Sequence, residues 1–217
     1  MSLLDIDFVS DIACPWCAIG LLSLEAALLE LAADGIQARI AFQPFELNPR
    51  MGAEGEEVVE HLQAKYGITP AQIAQNRELI RERGAALGFV FGPRERIWNT
   101  FDAHRLLHAA GLQDAAVQRR LKLALLQAYH GDGLHPGSAE LLRRAGRQAG
   151  LDAAEVEAVI ADPQRHGDAV REAEAQWQAA GIHAVPAVVI NRRHLISGGQ
   201  PPEIFAQALR QVAAAAV

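Results

Sequence analysis

Apolar and acidic residues take turns near the start of the chain with the period of a β-strand. The alternation in "LLDIDFVS" predicts a strand over Leu4 to Ser10. The next apolar residues recur three and four positions apart, as on one face of a helix: Leu21, Leu24, Leu28 and Leu31. Gly35 is typical of a helix end, and "IQARIAFQP" alternates again, which predicts a strand that ends near Pro44. The chain therefore opens with a β-α-β unit.

The middle of the chain, from about Met51 to Ala180, is rich in Ala, Leu, Gln, Glu and Arg, which are strong helix formers. Thr69 to Gln72 has the spacing of a capping box, and Pro70 suits the first helical position. We predict helices over residues 56–65, 70–87, 99–110, 115–130, 138–149, 152–161 and 166–180.

The last part of the chain returns to β-branched residues. "AVVI" and "HLIS" predict two short strands joined by the turn "NRR", and a closing helix begins near Pro202 and continues through the alanines up to Ala216. Two strands precede the helical block and two follow it. This order is expected when a helical insertion splits a small α/β fold whose two halves share one sheet.

Composition narrows the classes of partner. The 217 residues are half hydrophobic, and 20 Lys and Arg against 26 Asp and Glu give a net charge of -6, which argues against nucleic acid or an anionic membrane as a partner. The first residues do not resemble a secretory signal, and we expect no apolar run approaching the roughly 18 residues of a membrane span. The expected compartment is the cytoplasm, where ordinary thiols stay reduced and a disulfide would have a catalytic or sensing role.

The stretch "VSDIACPWCAIG" holds both cysteines of the chain. Cys14 stands at the predicted helix N-terminus, where free N–H groups and the helix dipole lower a thiol pKa, and we expect it to be an exposed nucleophile. Cys17 lies one turn further on the same side of the helix, within reach of a disulfide with Cys14. We expect Cys17 to be more buried and to resolve the bond that Cys14 forms.

Two alternatives for the cysteine pair involve no redox chemistry. A structural zinc ion needs four ligands, so two would have to be histidines, for which His104 and His108 on one helix are candidates. No histidine has the spacing to the cysteines that marks a compact zinc finger, so no metal site is expected, and surface or hydrogen-bonded core positions are the usual environments of such histidines. Plain core packing is disfavoured because Pro15 and Trp16 at a helix start suit it badly.

Val185-Pro186 stands at the entrance to the third predicted strand. A proline there can simply start a strand, and only about 5–6% of X–Pro bonds in folded proteins are cis. We treat this proline as a candidate site residue because the first helix of the same predicted fold carries the cysteine pair.

Together these segments resemble the DsbA-like branch of the thioredoxin superfamily, and in particular its cytoplasmic FrnE-like members. The resemblance covers nearly the whole chain through "SDIACPWCAIG", "FELNP", "NTFDAHRL", "GIHAVPAVVI" and "SGGQPPE". It implies an α/β thioredoxin fold split by a helical insertion, with the thioredoxin-like domain at 1–50 and 166–217 and the inserted domain at 51–165. It also implies that Cys14 is the nucleophile, Cys17 its resolving partner and Pro186 a cis-proline beside them. In such folds the backbone of Val185 is left free to pair with a bound peptide.

The chain departs from related sequences at two positions. Many thioredoxin-like proteins have a carboxylate six residues before the first cysteine, where this chain has Phe8. Asp11 could substitute if it points inward, although we expect a solvated loop residue. Trp16 stands where DsbA has a histidine and brings no charge, so we expect a couple less oxidising than that of DsbA.

Further candidate residues for substrate binding lie outside the cysteine motif. Asn99 and His104 belong to a polar cluster at a helix start, where Asn99 or Thr100 could equally be an N-cap. Ser197 and Gly198 precede the last helix, whose N–H groups could hold a carboxylate such as that of glutathione, although a tight turn explains these residues as well.

The preferred function is thiol-disulfide exchange with a protein or small-molecule substrate, with no cofactor, and glutathione is a candidate substrate or reductant. One alternative is a glutathione-dependent transferase or isomerase, since the architecture is also similar to kappa-class glutathione transferases and 2-hydroxychromene-2-carboxylate isomerases, which typically have serine where Cys14 stands. Another is a binding domain without catalysis. The leucine-rich helices leave open whether the protein forms a homodimer.

Overall fold

Both ends of the chain contribute to one central sheet in the computed structural model, which describes residues 2–215. In chain order the elements are β1 (Ser2–Ser10), α1 (Pro15–Leu31), β2 (Ile36–Pro44), β3 (Glu56–Glu57), α2 (Val58–Tyr66), α3 (Pro70–Ala86), β4 (Arg96–Ile97), α4 (Phe101–Gln113), α5 (Ala115–Leu126), α6 (Ala139–Ala149), α7 (Ala153–Ala161), α8 (Gly167–Ala179), β5 (Ala187–Ile190), β6 (His194–Ser197) and α9 (Pro202–Ala215).

The sheet has the strand order β2-β1-β5-β6. β1 runs parallel to β2 and antiparallel to β5, and β6 pairs antiparallel with β5. Phe8 of β1 lies between Phe42 and Val188 of its two neighbours and is fully buried. The prediction that the two halves of the chain share one sheet is therefore confirmed, and the fold is the thioredoxin fold with helices inserted between β2 and β5.

The helix α1 is buried between the sheet and other helices. It packs against α9 and β2, and Leu21, Leu24 and Leu31 have no more than traces of exposed surface. Residues 15–34 are nevertheless long and apolar enough to cross a membrane by length and composition alone, so the expectation that no apolar run approaches that length was wrong. Half of this segment is buried inside the protein, and a single helix of this length and composition is weak evidence for a membrane span.

The helical segment between β2 and β5 begins with a small ribbon. β3 pairs antiparallel with β4, and the Val58 amide donates to the Glu95 carbonyl at 2.9 Å. The chain therefore enters α2 close to the point at which it returns after α3. This ribbon was not predicted, because two residues per strand carry no alternation. The domain limits of 1–50, 51–165 and 166–217 fall in connecting segments and stay a prediction.

The seven predicted helices in this segment are found within three residues of their expected starts and ends, with one exception. The helix expected over 115–130 changes at Gln127–Gly131 into a π-helical turn. The capping box at Thr69 and Gln72 is present, and Asp152 accepts from the Glu155 amide. Ala216, which we expected to continue α9, lies outside the described residues.

Gly20 allows α1 to approach the segment that precedes β5. A Cβ atom at this position would lie 3.0 Å from Pro186 Cγ and 3.3 Å from Gly199 Cα. Both distances are shorter than ordinary van der Waals contact, so any side chain here has to displace one of these residues.

We expect Gly20→Val to destabilise the protein by about 1–3 kcal/mol, because its methyl groups overpack the contact with Pro186. Urea denaturation measures the loss. The control is Ala26→Val on the exposed face of the same helix, which carries the cost of a β-branched residue in a helix without the overpacking. Equal losses in the two variants would show that the close approach at Gly20 carries no energetic weight.

Candidate active site

The first cysteine occupies the N-cap of α1. β1 ends at Ser10, the Cys14 amide donates to the Asp11 carbonyl at 3.3 Å, and Pro15 takes the first helical position, as predicted. In the first helical turn, the N–H groups of Trp16 and Cys17 lie within reach of the Cys14 thiol. The Cys17 amide donates to the Cys14 carbonyl at 3.1 Å, which holds both cysteines in one turn.

Both thiols are free and buried, Cys14 with 5% and Cys17 with none of its surface exposed. The expectation of an exposed Cys14 was therefore wrong, because Cys14 lies in the wall of a cavity that α2 and α3 also line. Cys17 is the more buried of the two, as expected. The hydrogen bond from Cys17, with the N–H groups of Cys17 and Trp16, lowers the pKa of Cys14 against the opposing effects of burial and of the Asp11 charge. Burial raises the pKa of Cys17 well above its usual value. The arrangement makes Cys14 the thiol that ionises first.

The segment before β5 lies directly beside Cys14. A cis peptide bond joins Val185 and Pro186, as the resemblance implies. The Cys14 thiol donates to the Val185 carbonyl at 3.5 Å, and the Gly198 amide donates to the Pro186 carbonyl at 2.8 Å. The second half of the sheet is thereby brought into contact with the nucleophile.

Asp11 is completely buried, which corrects the expectation of a solvated loop residue. One carboxylate oxygen accepts from the Ala13 amide at 3.1 Å and from the Thr100 hydroxyl at 2.7 Å, and it lies 3.3 Å from His104 Nε2. The other oxygen accepts from the Leu47 amide at 2.7 Å.

Burial and three of these partners determine the ionisation of the Asp11 carboxyl. Burial alone would raise the pKa of Asp11, but the hydrogen bond and charge of His104, aided by Leu47 and Thr100, outweigh it and hold the pKa below its usual value. Asp11 is thus a charged residue in the interior, hydrogen-bonded on both oxygens.

A second set of hydrogen bonds holds the backbone of the loop before Cys14, from the turn that follows α5 and from the segment before β4. The buried His130 donates from Nε2 to the Ile12 carbonyl at 2.8 Å, and Arg94 Nη1 donates to the Ala13 carbonyl at 3.1 Å. Burial, with the charge of Arg94, lowers the pKa of His130 well below its usual value, so the imidazole is neutral. Its Nδ1 then faces Arg94 Nη1 at 3.4 Å as an acceptor.

Lys122 of α5 is a buried cation that the sequence reasoning missed. Only 1% of its surface is exposed, and no carboxylate pairs with it among residues 2–215. Burial lowers the pKa of Lys122 to about 8, against the opposing effect of the Cys17, Asp11 and Cys14 charges. The signal was its spacing: Gln118, Leu121 and Leu125, also buried, place position 122 on the inward face of the helix.

The weaker candidate residues lie in different environments. Asn99 accepts from the Phe101 amide at 2.8 Å and so caps the start of α4, and Thr100 faces Asp11 instead of capping. His104 is buried against Asp11. Gly198 has a φ of +81°, and the Ser197 carbonyl accepts from Gln200 at 2.8 Å, which is a tight turn. None of these contacts tests a role in substrate binding.

Cys14 opens into a cavity of about 400 Å³. Its walls come from the cysteine motif, the loop after β2, and the helices α2 and α3. Apolar residues predominate among them, with Trp16, Leu47, Leu62, Ile68, Ile73 and Ile97. Within residues 2–215, no group of three or more His, Cys, Asp or Glu residues is placed to hold a metal ion.

Comparison with known proteins places this geometry in a family. A model of the DSBA-like thioredoxin domain matches residues 5–210. The crystal structure of a probable DsbA oxidoreductase from Streptomyces coelicolor is 35% identical with a TM-score of 0.86, over 96% of this chain and 89% of that one. No match was found among curated proteins.

Two more distant structures share the fold alone. The cytosolic disulfide reductase DsbM from Pseudomonas aeruginosa, solved with GSH, is 18% identical with a TM-score of 0.59, over 96% of this chain and 98% of that one. A 2-hydroxychromene-2-carboxylate isomerase is 14% identical with a TM-score of 0.67, over 96% and 95%.

We expect Asp11→Asn to cost about 3 kcal/mol at pH 7, because it removes a buried charge from four partners. The lowered pKa of Asp11 means that its stabilisation is present above the unfolded value of about 3.9 and is lost as the pH falls through the folded value. Urea denaturation from pH 7 down to pH 3 should show the gap between the two proteins closing below about pH 4. Asp5→Asn, at an exposed ion pair with Arg39, is the control and should cost less than about 1 kcal/mol. A constant gap over this range would contradict the assignment.

Lys122→Met should stabilise the protein by up to about 3 kcal/mol at pH 7, since each unit of pKa depression corresponds to about 1.4 kcal/mol. Between about pH 8 and pH 10.5 the unfolded chain binds more protons at this lysine than the folded protein, so wild-type stability rises and the advantage of the variant fades. Denaturation curves at pH 7 and pH 10 check this. The control is Arg119→Met, a half-exposed residue on the same helix. If the variant were less stable than wild type at pH 7, other interactions would offset the cost of burying the Lys122 charge, and the prediction would be wrong.

Proposed function

The chain belongs to the family of DSBA-like thioredoxin domains, and from that premise we propose that it is a thiol-disulfide oxidoreductase whose redox pair is Cys14 and Cys17. The observation that carries the proposal is the inequality of the two thiols. Cys14 sits at a helix N-terminus with a lowered pKa, and Cys17 lies buried one turn behind it with a raised pKa. This division suits a nucleophile and a resolving thiol.

In the first step the Cys14 thiolate attacks one sulfur of a substrate disulfide. A bond forms between Cys14 Sγ and that sulfur, the substrate S–S bond breaks, and the electron pair leaves on the second substrate sulfur as a thiolate. The N–H groups at the start of α1 favour the anionic form of Cys14. The Val185 carbonyl, 3.5 Å from Sγ, marks the side from which a substrate backbone would approach.

In the second step Cys17 loses its proton, and its sulfur attacks Cys14 Sγ. The bond to the substrate breaks, a second thiolate leaves, and Cys14 and Cys17 form a disulfide, so that two electrons pass from the pair to the substrate. The charge of Lys122 lowers the cost of ionising Cys17 in this buried position. The same steps in reverse oxidise a dithiol, and the direction follows from the reduction potentials of the two couples.

A glutathione-dependent transferase or isomerase is the second candidate. What favours it is the cavity over Cys14, whose size suits a small molecule, together with the fold shared with the isomerase. Both cysteines are present, however, and such chemistry needs only one. The Cys17→Ser variant separates the two, because transferase or isomerase turnover would survive it and disulfide exchange by the pair would not.

The remaining proposals concern the setting of the reaction. We propose the cytoplasm as the compartment and glutathione as a reductant or substrate, supported by the fold shared with DsbM, which is cytosolic and was solved with GSH. Membership in the FrnE-like branch stays a prediction.

Cys17→Ser should accumulate a mixed disulfide through Cys14, because serine cannot displace the bound thiol. Incubation with oxidised glutathione followed by intact-mass spectrometry should show one added glutathione that dithiothreitol removes. Wild type should instead lose two hydrogens as its own disulfide closes. The matched control Cys14→Ser should form at least about ten-fold less adduct, since Cys17 is buried with a raised pKa. Equal adducts in both variants, or none in either, would refute the assigned roles.

A further inference from the structure

A second cavity adjoins the cavity over Cys14. It measures about 360 Å³, and it shares Pro15, Arg77, Ile80 and Arg94 with the first one. The two spaces therefore lie side by side with shared walls, and Ile80 is one of the residues between them. We call them the two lobes of one candidate site. Each lobe is within the size range of small-molecule pockets, about 300–1,000 Å³.

The two lobes differ in chemistry. The lobe over Cys14 is lined mainly by aliphatic and aromatic residues of α2, α3 and the cysteine motif. The second lobe adds Arg81 to the shared Arg77 and Arg94, so three guanidinium groups line it. The convergence is notable in a chain whose net charge is -6. A cationic end next to an apolar chamber is the chemistry that recognises an anionic amphiphile.

The three arginines have no strong carboxylate partner in the described part of the chain, so they are available to an anionic ligand. Neither Arg77 nor Arg94 pairs with a carboxylate among residues 2–215. Arg81 pairs with Glu78 at 2.9 Å, and both side chains are more than half exposed, so this ion pair is weak. Arg94 is fixed by its bond to the Ala13 carbonyl and lies over the Tyr129 ring at 5.1 Å. Its guanidinium is therefore held beside the loop that carries Cys14.

Access to the nucleophile favours a small substrate. With 5% of Cys14 exposed, a disulfide on the surface of a folded protein meets the walls of the cavity before it meets the thiol. A molecule that enters the cavity reaches Cys14 directly.

We propose that the substrate is a low-molecular-mass thiol or disulfide with an apolar or aromatic body that fills the lobe over Cys14 and a carboxylate that binds Arg77, Arg81 and Arg94. This inference rests on the proposed function and adds the class of substrate to it. The bonds made and broken are those of the exchange described above, with the small disulfide as the electron acceptor.

The test compares two aromatic disulfides that differ in charge: 5,5′-dithiobis(2-nitrobenzoate), which carries two carboxylates, and 4,4′-dithiodipyridine, which is neutral. Stopped-flow absorbance gives the rate constant for each with the reduced protein. We expect the double variant R77Q/R81Q to react roughly ten-fold more slowly with the carboxylate probe and less than about two-fold more slowly with the neutral one. Both arginines are exposed, so the variant should fold.

The control variant R144Q removes an exposed charge from α6, away from both lobes, and should match wild type with each probe. A second variant, Ile80→Trp, fills the wall between the lobes and should slow both probes. Equal rates for R77Q/R81Q and wild type with the carboxylate probe would overturn the inference while leaving the proposed function intact. The inference would also be overturned if the reduced protein reacted faster with a protein disulfide, such as that of insulin, than with the carboxylate probe. A thiol pair that reacts with no disulfide at all would instead refute the proposed function.

Discussion

The buried carboxylate of Asp11 ties together three segments that are far apart in the sequence. It accepts from the loop before Cys14, from Leu47 after β2 and from Thr100, with His104 beside it, at the start of α4. A buried charge is tolerable only when its hydrogen bonds are made, so the three segments have to meet at one point for the fold to be stable. The position of the nucleophile is therefore set partly by the inserted helices and not by the thioredoxin half alone.

The same dependence applies to the electrostatics of the site. The helix that carries Lys122 belongs to the inserted segment, yet its charge acts on Cys17, and the neutral His130 from the turn after that helix holds the Ile12 carbonyl. Arg94, just before β4 of the ribbon, donates to the carbonyl of the next residue, Ala13. The hydrogen bonds of His130 and Arg94 fix the backbone just before Cys14. The pair is thus embedded between two halves of the molecule, which also explains why Cys14 is hidden and is reached through a cavity.

Local signals in the sequence were sufficient for the scaffold of the site. The alternation before Ser10, the leucine spacing after Cys17 and the β-branched residues around Val188 each depend on a few neighbouring residues, and the structure confirms them. The environments of Asp11 and Lys122 depend on partners about 35 to 110 residues away, which periodicity does not identify. Lys122 was missed, and Asp11 was expected to be solvated, for the same reason: an ionisable residue is ordinarily solvated, and only the tertiary structure shows the groups that compensate for its burial.

The short ribbon of Glu56–Glu57 and Arg96–Ile97 has a consequence for how such a protein can diversify. Because the ribbon brings the beginning and end of the α2–α3 segment to one place, and the segment contributes no strand to the central sheet, it can change in length or composition without shifting the sheet. Most of the cavity walls lie within it, whereas the reacting sulfur atoms do not. Evolution could therefore alter the range of accepted molecules by exchanging this one excursion of the chain while the sulfur chemistry stays inherited.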